Sequence, residues 1–133
     1  MGDALERAMT LTVTIPGRPV GRRSGRKAEY TQRSERAYMQ RVRDYVHAGL
    51  REHYADIDWH ELREHRGKVW MSVKAYYPDK RRHDADNIAK ACGGALQRVC
   101  YRNDKQVGWR MIYPFGVDKV HPRLELTIEW EGE

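Results

Sequence analysis

The sequence predicts a small single-domain α+β protein: a mixed, mostly antiparallel four-stranded sheet with two helices on one face, in the order β-α-β-α-β-β. Three observations carry this expectation. The chain has 133 residues, a length at which one hydrophobic core is the rule. Four segments alternate apolar and polar residues with period two, as half-buried strands do. Two further segments carry apolar residues at helical spacing.

In chain order, residues 1–8 are expected to be a flexible N-terminus and residues 9–133 the domain. The first strand sets Met9, Leu11, Val13 and Ile15 on one face and Thr10, Thr12 and Thr14 on the other. A Gly/Arg/Pro-rich loop opened by Pro16, Gly17 and Pro19 follows, too long for a simple connection. From about Ser34, whose hydroxyl can cap a helix, to Tyr54 there is no Pro. Ala37, Tyr38, Val42, Tyr45, Val46 and Leu50 fall near one face there, leaving Arg36, Arg41 and Arg43 exposed. Ala55 to Gly67, with Asp56, Asp58, Glu61 and Glu64, reads as an acidic surface connection.

The second strand turns Val69, Met71, Val73, Ala75 and Tyr77 inward and Lys68, Ser72 and Lys74 outward. The second helix, Asp86 to Val99, aligns Ile88, Ala91, Cys92, Ala95, Leu96 and Val99 in one apolar stripe. Gly93 and Gly94 each weaken a helix by about 1 kcal/mol relative to Ala, which implies close packing against the sheet. The third strand sets Val107, Trp109, Met111 and Tyr113 on one face. The last, clearest strand sets Leu124, Leu126, Ile128 and Trp130 against Arg123, Glu125, Thr127 and Glu129.

The charge distribution narrows the function. The net charge is +6, and it is concentrated. Between Arg18 and Arg43 stand Arg18, Arg22, Arg23, Arg26, Lys27, Arg33, Arg36, Arg41 and Arg43, opposed only by Glu29 and Glu35. Such a segment on an otherwise balanced chain is the footprint of phosphate-backbone binding, or else a solvated basic loop. No apolar run approaches the roughly 20 residues of a membrane helix. Met1 to Ala8 carries acids and no apolar core, unlike a signal peptide, so a cytoplasmic, non-membrane protein is expected. Cys92 and Cys100 are neither a disulfide framework nor a zinc pair and read as two reduced thiols.

The most informative stretch runs from Asp79 through Lys80, Arg81, Arg82 and His83 to Asp84, Asp86 and Lys90. Asp84 and Asp86 are two apart where a strand gives way to a helix, so both carboxylates can face one point. Lys90 lies one turn beyond Asp86. Asp104 follows the helix and is expected to fold back toward the pair. Converging carboxylates hold Mg²⁺, which keeps waters and bridges to phosphates. As a bare D-x-D, however, the commoner reading is a helix N-cap, with Asp86 and Lys90 an ordinary surface pair. The basic residues in front, the lysine behind and the third acid give the catalytic reading its weight.

The run Pro78-Asp79 … Asp84-Ala85-Asp86-Asn87-Ile88-Ala89-Lys90 … Ala95-Leu96 … Tyr101-Arg102-Asn103-Asp104-Lys105-Gln106-Val107 resembles the signature of RusA-type Holliday-junction resolvases. That signature is D-x-D-N-x-x-K, an A-L pair, then D-D-x-Q-V/I. The resemblance extends from about Met9 to the final L-x-L-x-I strand. It implies a homodimer that binds four-way DNA junctions and uses Mg²⁺ (Mn²⁺ as a substitute) to make paired, symmetric nicks in recombination and repair, with no nucleotide cofactor. It places the catalytic carboxylates, also the metal ligands, at Asp84, Asp86 and Asp104, and the catalytic lysine at Lys90. It further implies a bacterial or phage source and activity at the nucleoid. Two positions depart from the pattern: Gly94 stands where the family usually has Asp, and Asn103 replaces the first of the paired acids.

DNA contacts are assigned to Arg18, Arg22, Arg23, Arg26, Lys27, Arg33, Lys80, Arg81, Arg82 and His83. His47, His53, His60, His65 and His121 form no recognisable ligand set. Trp59, Trp109 and Trp130 read as core or dimer-interface residues. Trp70, on the polar side of its strand, reads as an interface or base-stacking residue. The alternatives are a Mg²⁺ nuclease for flaps or other branched DNA, and a non-catalytic DNA-binding module whose carboxylates only cap a helix.

Overall fold

The computed structural model of the chain describes residues 8–21, 29–81 and 83–132. Its elements are strand β1 (Met9–Pro16), helices α1 (Glu29–His53) and α2 (Trp59–Glu64), strand β2 (Val69–Tyr77), helix α3 (Ala85–Leu96), and strands β3 (Val107–Ile112), β4 (Gly116–Val117) and β5 (Arg123–Trp130). A single 3₁₀ turn, Asp104–Gln106, leads into β3. The α+β class and the mixed sheet expected from the sequence are present. Among the described residues, however, the sheet has five strands rather than four and there are three α-helices rather than two, because the short β4 and α2 are too brief to show a period.

The sheet runs β1-β5-β2-β3, with β4 extending the far end of β2. The last strand therefore lies between the first and the second. Antiparallel β5 pairs eight residues with β1, from Met9 opposite Trp130 to Pro16 opposite Arg123. It pairs eight more with β2, from Val69 opposite Trp130 to Tyr76 opposite Arg123. β3 and β4 pair with β2 in parallel. Period-two alternation does its work here: Val69, Met71, Val73, Ala75 and Tyr77 are buried, as are Leu124, Leu126, Ile128 and Trp130. Gly17, at φ 102°, turns the chain out of β1 while its N–H donates to the Pro122 carbonyl at 2.9 Å.

Both long helices cover this apolar face. Helix α1 buries Tyr38, Val42, Val46 and Leu50, each four residues from the last, and α3 buries Ile88, Ala91, Cys92, Ala95 and Leu96. The helix and sheet surfaces close into one core. A Cβ added at Gly93 would lie 3.9 Å from the Trp109 ring, an ordinary contact, and the Gly93 carbonyl accepts the Tyr101 hydroxyl at 2.6 Å, joining α3 to the turn that follows it.

Four local readings change. Helix α1 begins at Glu29, so Ser34 lies inside it rather than capping it, and Ala37 is exposed. The acidic connection contains α2, whose start Asp58 caps by accepting from the N–H groups of His60 and Glu61, while Leu62 is buried. Six residues are too few to show helical periodicity. Helix α3 stops at Leu96, because Arg98 adopts a left-handed backbone with φ 66°.

In β3 the alternation breaks. Met71 pairs with Trp109 but Ser72 pairs with Met111, so Arg110 is an extra, bulged residue. The faces beyond it are exchanged: Ile112 packs on the core, while Met111 and Tyr113 are 47 % and 43 % exposed. On that outer face Trp70 is enclosed by its own chain. The Arg110 guanidinium lies 4.6 Å from its ring, the Lys68 ammonium 4.8 Å, and its indole N–H donates to Glu131 at 2.7 Å.

Candidate active site

The end of β2 nearest Tyr77 delivers the carboxylate pair. Asp84 has an extended backbone (φ −94°, ψ 108°), and Asp86 lies in the first turn of α3. Asp84 Oδ1 accepts the Asp86 N–H at 2.9 Å. The cap reading is thus correct for one oxygen of Asp84. Both side chains are exposed. Asp86 does not pair with Lys90, and among the described residues neither takes another ion-pair partner. The surface-pair reading of these two residues therefore does not hold.

The segment before Asp84 is fixed by a knot of side chains. Asp79 Oδ1 is 3.0 Å from His83 Nε2 and accepts the Arg81 N–H at 3.0 Å, and Oδ2 accepts from Arg18 Nη1 at 3.0 Å. The His83 hydrogen bond is the main cause that holds the Asp79 carboxyl below its usual pKa, with the Arg81 N–H and the Arg18 charge adding to it. The His83 ring also stacks on Tyr77, and Phe115 meets both rings edge-on. Sequence reasoning assigned His83 and Arg18 to DNA and gave Asp79, Tyr77 and Phe115 no such part. Burial pushes the Tyr77 hydroxyl up to about 12.

The basic loop starts beside the pair. Pro19 is buried, Val20 packs on the core, and Arg41 Nε donates to the Pro16 carbonyl at 3.0 Å. At Gly21 an added Cβ would lie 2.9 Å from Asn87 Cβ and 3.2 Å from its backbone carbon. Only a glycine lets the chain pass so close to the first turn of α3, one residue after Asp86. Arg22, Arg23, Arg26, Lys27 and Arg82, like residues 1–7, lie outside the described residues. Lys80, Arg81 and Arg33 are exposed, Arg33 on α1.

Asp104 is elsewhere. It opens the 3₁₀ turn, and its N–H donates at 3.0 Å to Oε1 of Gln97, the residue that ends α3. Asp84 precedes the other end of that helix. Twelve helical residues span roughly 18 Å, so within one chain Asp104 is not folded back toward the pair. The parallel β2–β3 pairing is the reason: it starts with Val69 opposite Val107, which puts Asp104 by the first residues of β2, whereas Asp84 follows its last.

The signature residues around Asp104 build this corner. Asn103 caps the turn by accepting the Lys105 N–H at 2.9 Å, and Gln106 returns the bond by accepting the Asn103 N–H at 2.7 Å. Gln106 Nε2 also donates to the carbonyls of His65 and Gly67, tying the turn to the segment that leads into β2. Asn caps as well as Asp, so the departure at Asn103 preserves that role.

Among the described residues no three His, Cys, Asp or Glu side chains are close enough together to hold a metal ion. The pair Asp84 and Asp86 still fits Mg²⁺, which binds through one or two carboxylates and keeps several waters and substrate phosphate oxygens. Cys92 and Cys100 are free and buried, and burial pushes the Cys92 thiol up to about 12.

An exposed carboxylate pair with a lysine one turn on, and with Gly21 packed against the next residue of the helix, suits an enzyme acting on phosphodiesters rather than a thiol or histidine hydrolase. The sequence matches the family Endodeoxyribonuclease RusA over residues 15–129, most of the chain, and the protein belongs to that family. It is thus a structure-specific DNA endonuclease of the Holliday-junction-resolving, metal-dependent kind. No curated protein matches the chain. No helix among the described residues is long and apolar enough to cross a membrane.

Proposed function

We propose that the chain is a Mg²⁺-dependent homodimer that resolves four-way DNA junctions by paired, symmetric nicks, with Asp84, Asp86 and Lys90 at each cut. One observation carries the reading. Two exposed carboxylates share the first turns of α3 with a lysine that has no ion-pair partner among the described residues, and the chain at Gly21 passes against Asn87, the residue after Asp86. Mg²⁺ bound by Asp84 and Asp86 would supply a water of lowered pKa and neutralise charge on the scissile phosphate. Lys90, one turn on, holds a phosphate oxygen by a charge-assisted bond. Arg22, Arg23, Arg26, Lys27, Arg33, Lys80, Arg81 and Arg82 guide the backbone to that point, and the Asp79 knot keeps Asp84 in place.

The position of Asp104 supports the dimer. If this carboxylate serves the same chemistry as Asp84 and Asp86, a second copy has to bring it there, since one helix length separates them in a single chain. Two-fold symmetry then makes two equal sites, matching the paired cuts of a two-fold junction.

The test is a synthetic four-way junction with and without Mg²⁺, beside linear duplex and flap substrates. Paired nicks confined to the junction and lost in Asp86→Asn are expected. Equal cutting of flaps would shift the substrate assignment. Binding without any nick would leave the carboxylates as caps and the protein as a binding module.

A further inference from the structure

A second cationic pocket lies near the Asp104 end of the molecule, where no DNA contact has been assigned. Its walls come from three elements. Helix α1 gives His47 and Arg51, α2 gives Trp59 and Arg63, and the turn after α3 gives Arg98 and Val99, around a cavity of about 480 Å³. Each helical pair is four residues apart, so both members share a face. His47 meets Trp59 edge-on with ring centroids 5.1 Å apart, which fixes the indole.

The charge in this pocket is poorly balanced. Glu64 reaches Arg98 at 3.6 Å and Arg102 at 4.0 Å from the rim. Among the described residues Arg51 and Arg63 have no carboxylate partner. The His47 imidazole is held below its usual pKa by burial and then by the Arg51 charge, with Arg43 adding and Asp44 opposing. Arg98 is presented from a left-handed backbone, unfavourable for any residue with a Cβ, and its N–H is locked to the Tyr101 carbonyl at 2.7 Å. Its neighbour Gln97 holds the Asp104 N–H, so pocket and third carboxylate share one turn.

We propose that this pocket is a second DNA site. It binds an unpaired stretch of strand, with phosphates on Arg51, Arg63 and Arg98 and a base against Trp59. Cationic grooves with an aromatic platform take single strands, whose bases offer free faces, rather than stacked duplex. A junction opened at its centre on the protein would supply such unpaired nucleotides. The inference rests on the family's action on DNA and is independent of which carboxylates cut.

The experiment titrates an oligothymidylate into the full-length protein without divalent metal, following anisotropy of the labelled strand and tryptophan quenching at several salt concentrations. Arg51→Ala with Arg63→Ala is expected to weaken binding about tenfold and to flatten the salt slope by about 0.7 for each phosphate no longer neutralised. Arg51→Lys with Arg63→Lys should restore most of the salt slope, and Trp59→Phe should remove the quenching. Wild-type affinity and slope in the alanine variant would overturn the proposal. So would equal quenching by inorganic phosphate or thymidine monophosphate, which would make this a small-anion site. An Asp86→Asn protein that still nicks junctions would sink the carboxylate assignment alone and leave this binding result standing.

Discussion

The imidazole of His83 lies flat on the ring of Tyr77, with centroids 3.4 Å apart and planes 3° from parallel. A residue of the loop that delivers Asp84 is thereby anchored to the buried last residue of β2. Asp79 holds the edge of the same ring at Nε2, so the two ends of the loop are tied to each other and to β2. We expect His83→Ala and Asp79→Ala each to lower kcat on junctions by about tenfold, since small displacements of a catalytic group have large effects on rate. Junction affinity should change much less. Single-turnover kinetics beside equilibrium binding separates the two; affinity falling as steeply as rate would return His83 to the role of DNA contact.

Asp84 and Asp104 are expected to act from different copies. Asp86→Asn and Asp104→Asn should each reduce nicking by about a hundredfold or more when alone, as expected when a metal ligand is removed. Mixed after co-refolding, they should regain part of the wild-type rate, because one of the two sites in a heterodimer then contains no substitution. A mixture as inactive as its components would argue against sites shared between copies.

Gly21 is expected to tolerate no side chain. Valine there would meet Asn87 closer than atoms normally approach, and such overpacking costs about 1–3 kcal/mol. The relief is to move the loop, since Asn87 belongs to a packed helix. Gly21→Val should therefore weaken junction binding more than it lowers the thermal midpoint. A large drop in midpoint with unchanged binding would place the adjustment in α3 instead.

Much of this was legible in the sequence, for reasons particular to each element. The strand β5 alternates strictly because one of its faces is core and the other is not. The placement of Asp84 and Asp86 at the start of α3 was legible because a strand-to-helix junction is visible as a change of period. The position of Asp104 was not legible: its distance from the pair depends on whether β3 runs parallel or antiparallel to β2, and periodicity carries no strand direction. Nor was the reversal of Met111 and Tyr113, since a one-residue bulge at Arg110 breaks the structural alternation without leaving a mark in the alternating sequence. The Asp79–His83–Tyr77–Phe115 knot joins residues up to 38 positions apart that no motif connects.

Arg98 sets stability against binding. A non-glycine residue in a left-handed conformation is disfavoured by about 1–2 kcal/mol, and the added chain entropy of glycine in the unfolded state offsets part of that. We expect Arg98→Gly to raise stability by up to about 1 kcal/mol in urea unfolding while weakening single-strand binding. A variant less stable than wild type would mean that the Arg98–Glu64 pair contributes more than exposed pairs usually do.

Buried thiols and phenols set the alkaline limit: Cys92 and Tyr77 among them, with Cys100, Tyr38 and Tyr101 pushed up further by burial. Cys92 is raised from 9.0 to about 12 and Tyr77 from 10.0 to about 12, both chiefly by burial. A group whose pKa is higher folded than unfolded stabilises fully below its unfolded pKa, and that contribution is lost as pH rises to the folded value. Urea midpoints should hold up to about pH 9 and fall between about pH 9 and 12. At about pH 8, below the ordinary thiol range, both cysteines should resist a disulfide reagent until denaturant is added. Prompt labelling of the native protein would contradict the burial of Cys92 and Cys100.

The place of β5 has a consequence for how the molecule comes into being. The strand at residues 123–130 separates β1 from β2, which do not pair with each other. As the chain leaves the ribosome, the apolar faces of both earlier strands wait for it, and no partial sheet joins them. Contacts between positions as distant as Met9 and Trp130 also make folding slow relative to helical proteins of this size. Asp84 and Asp86 are therefore synthesised before the sheet under α3 can close, and their final placement waits for β5.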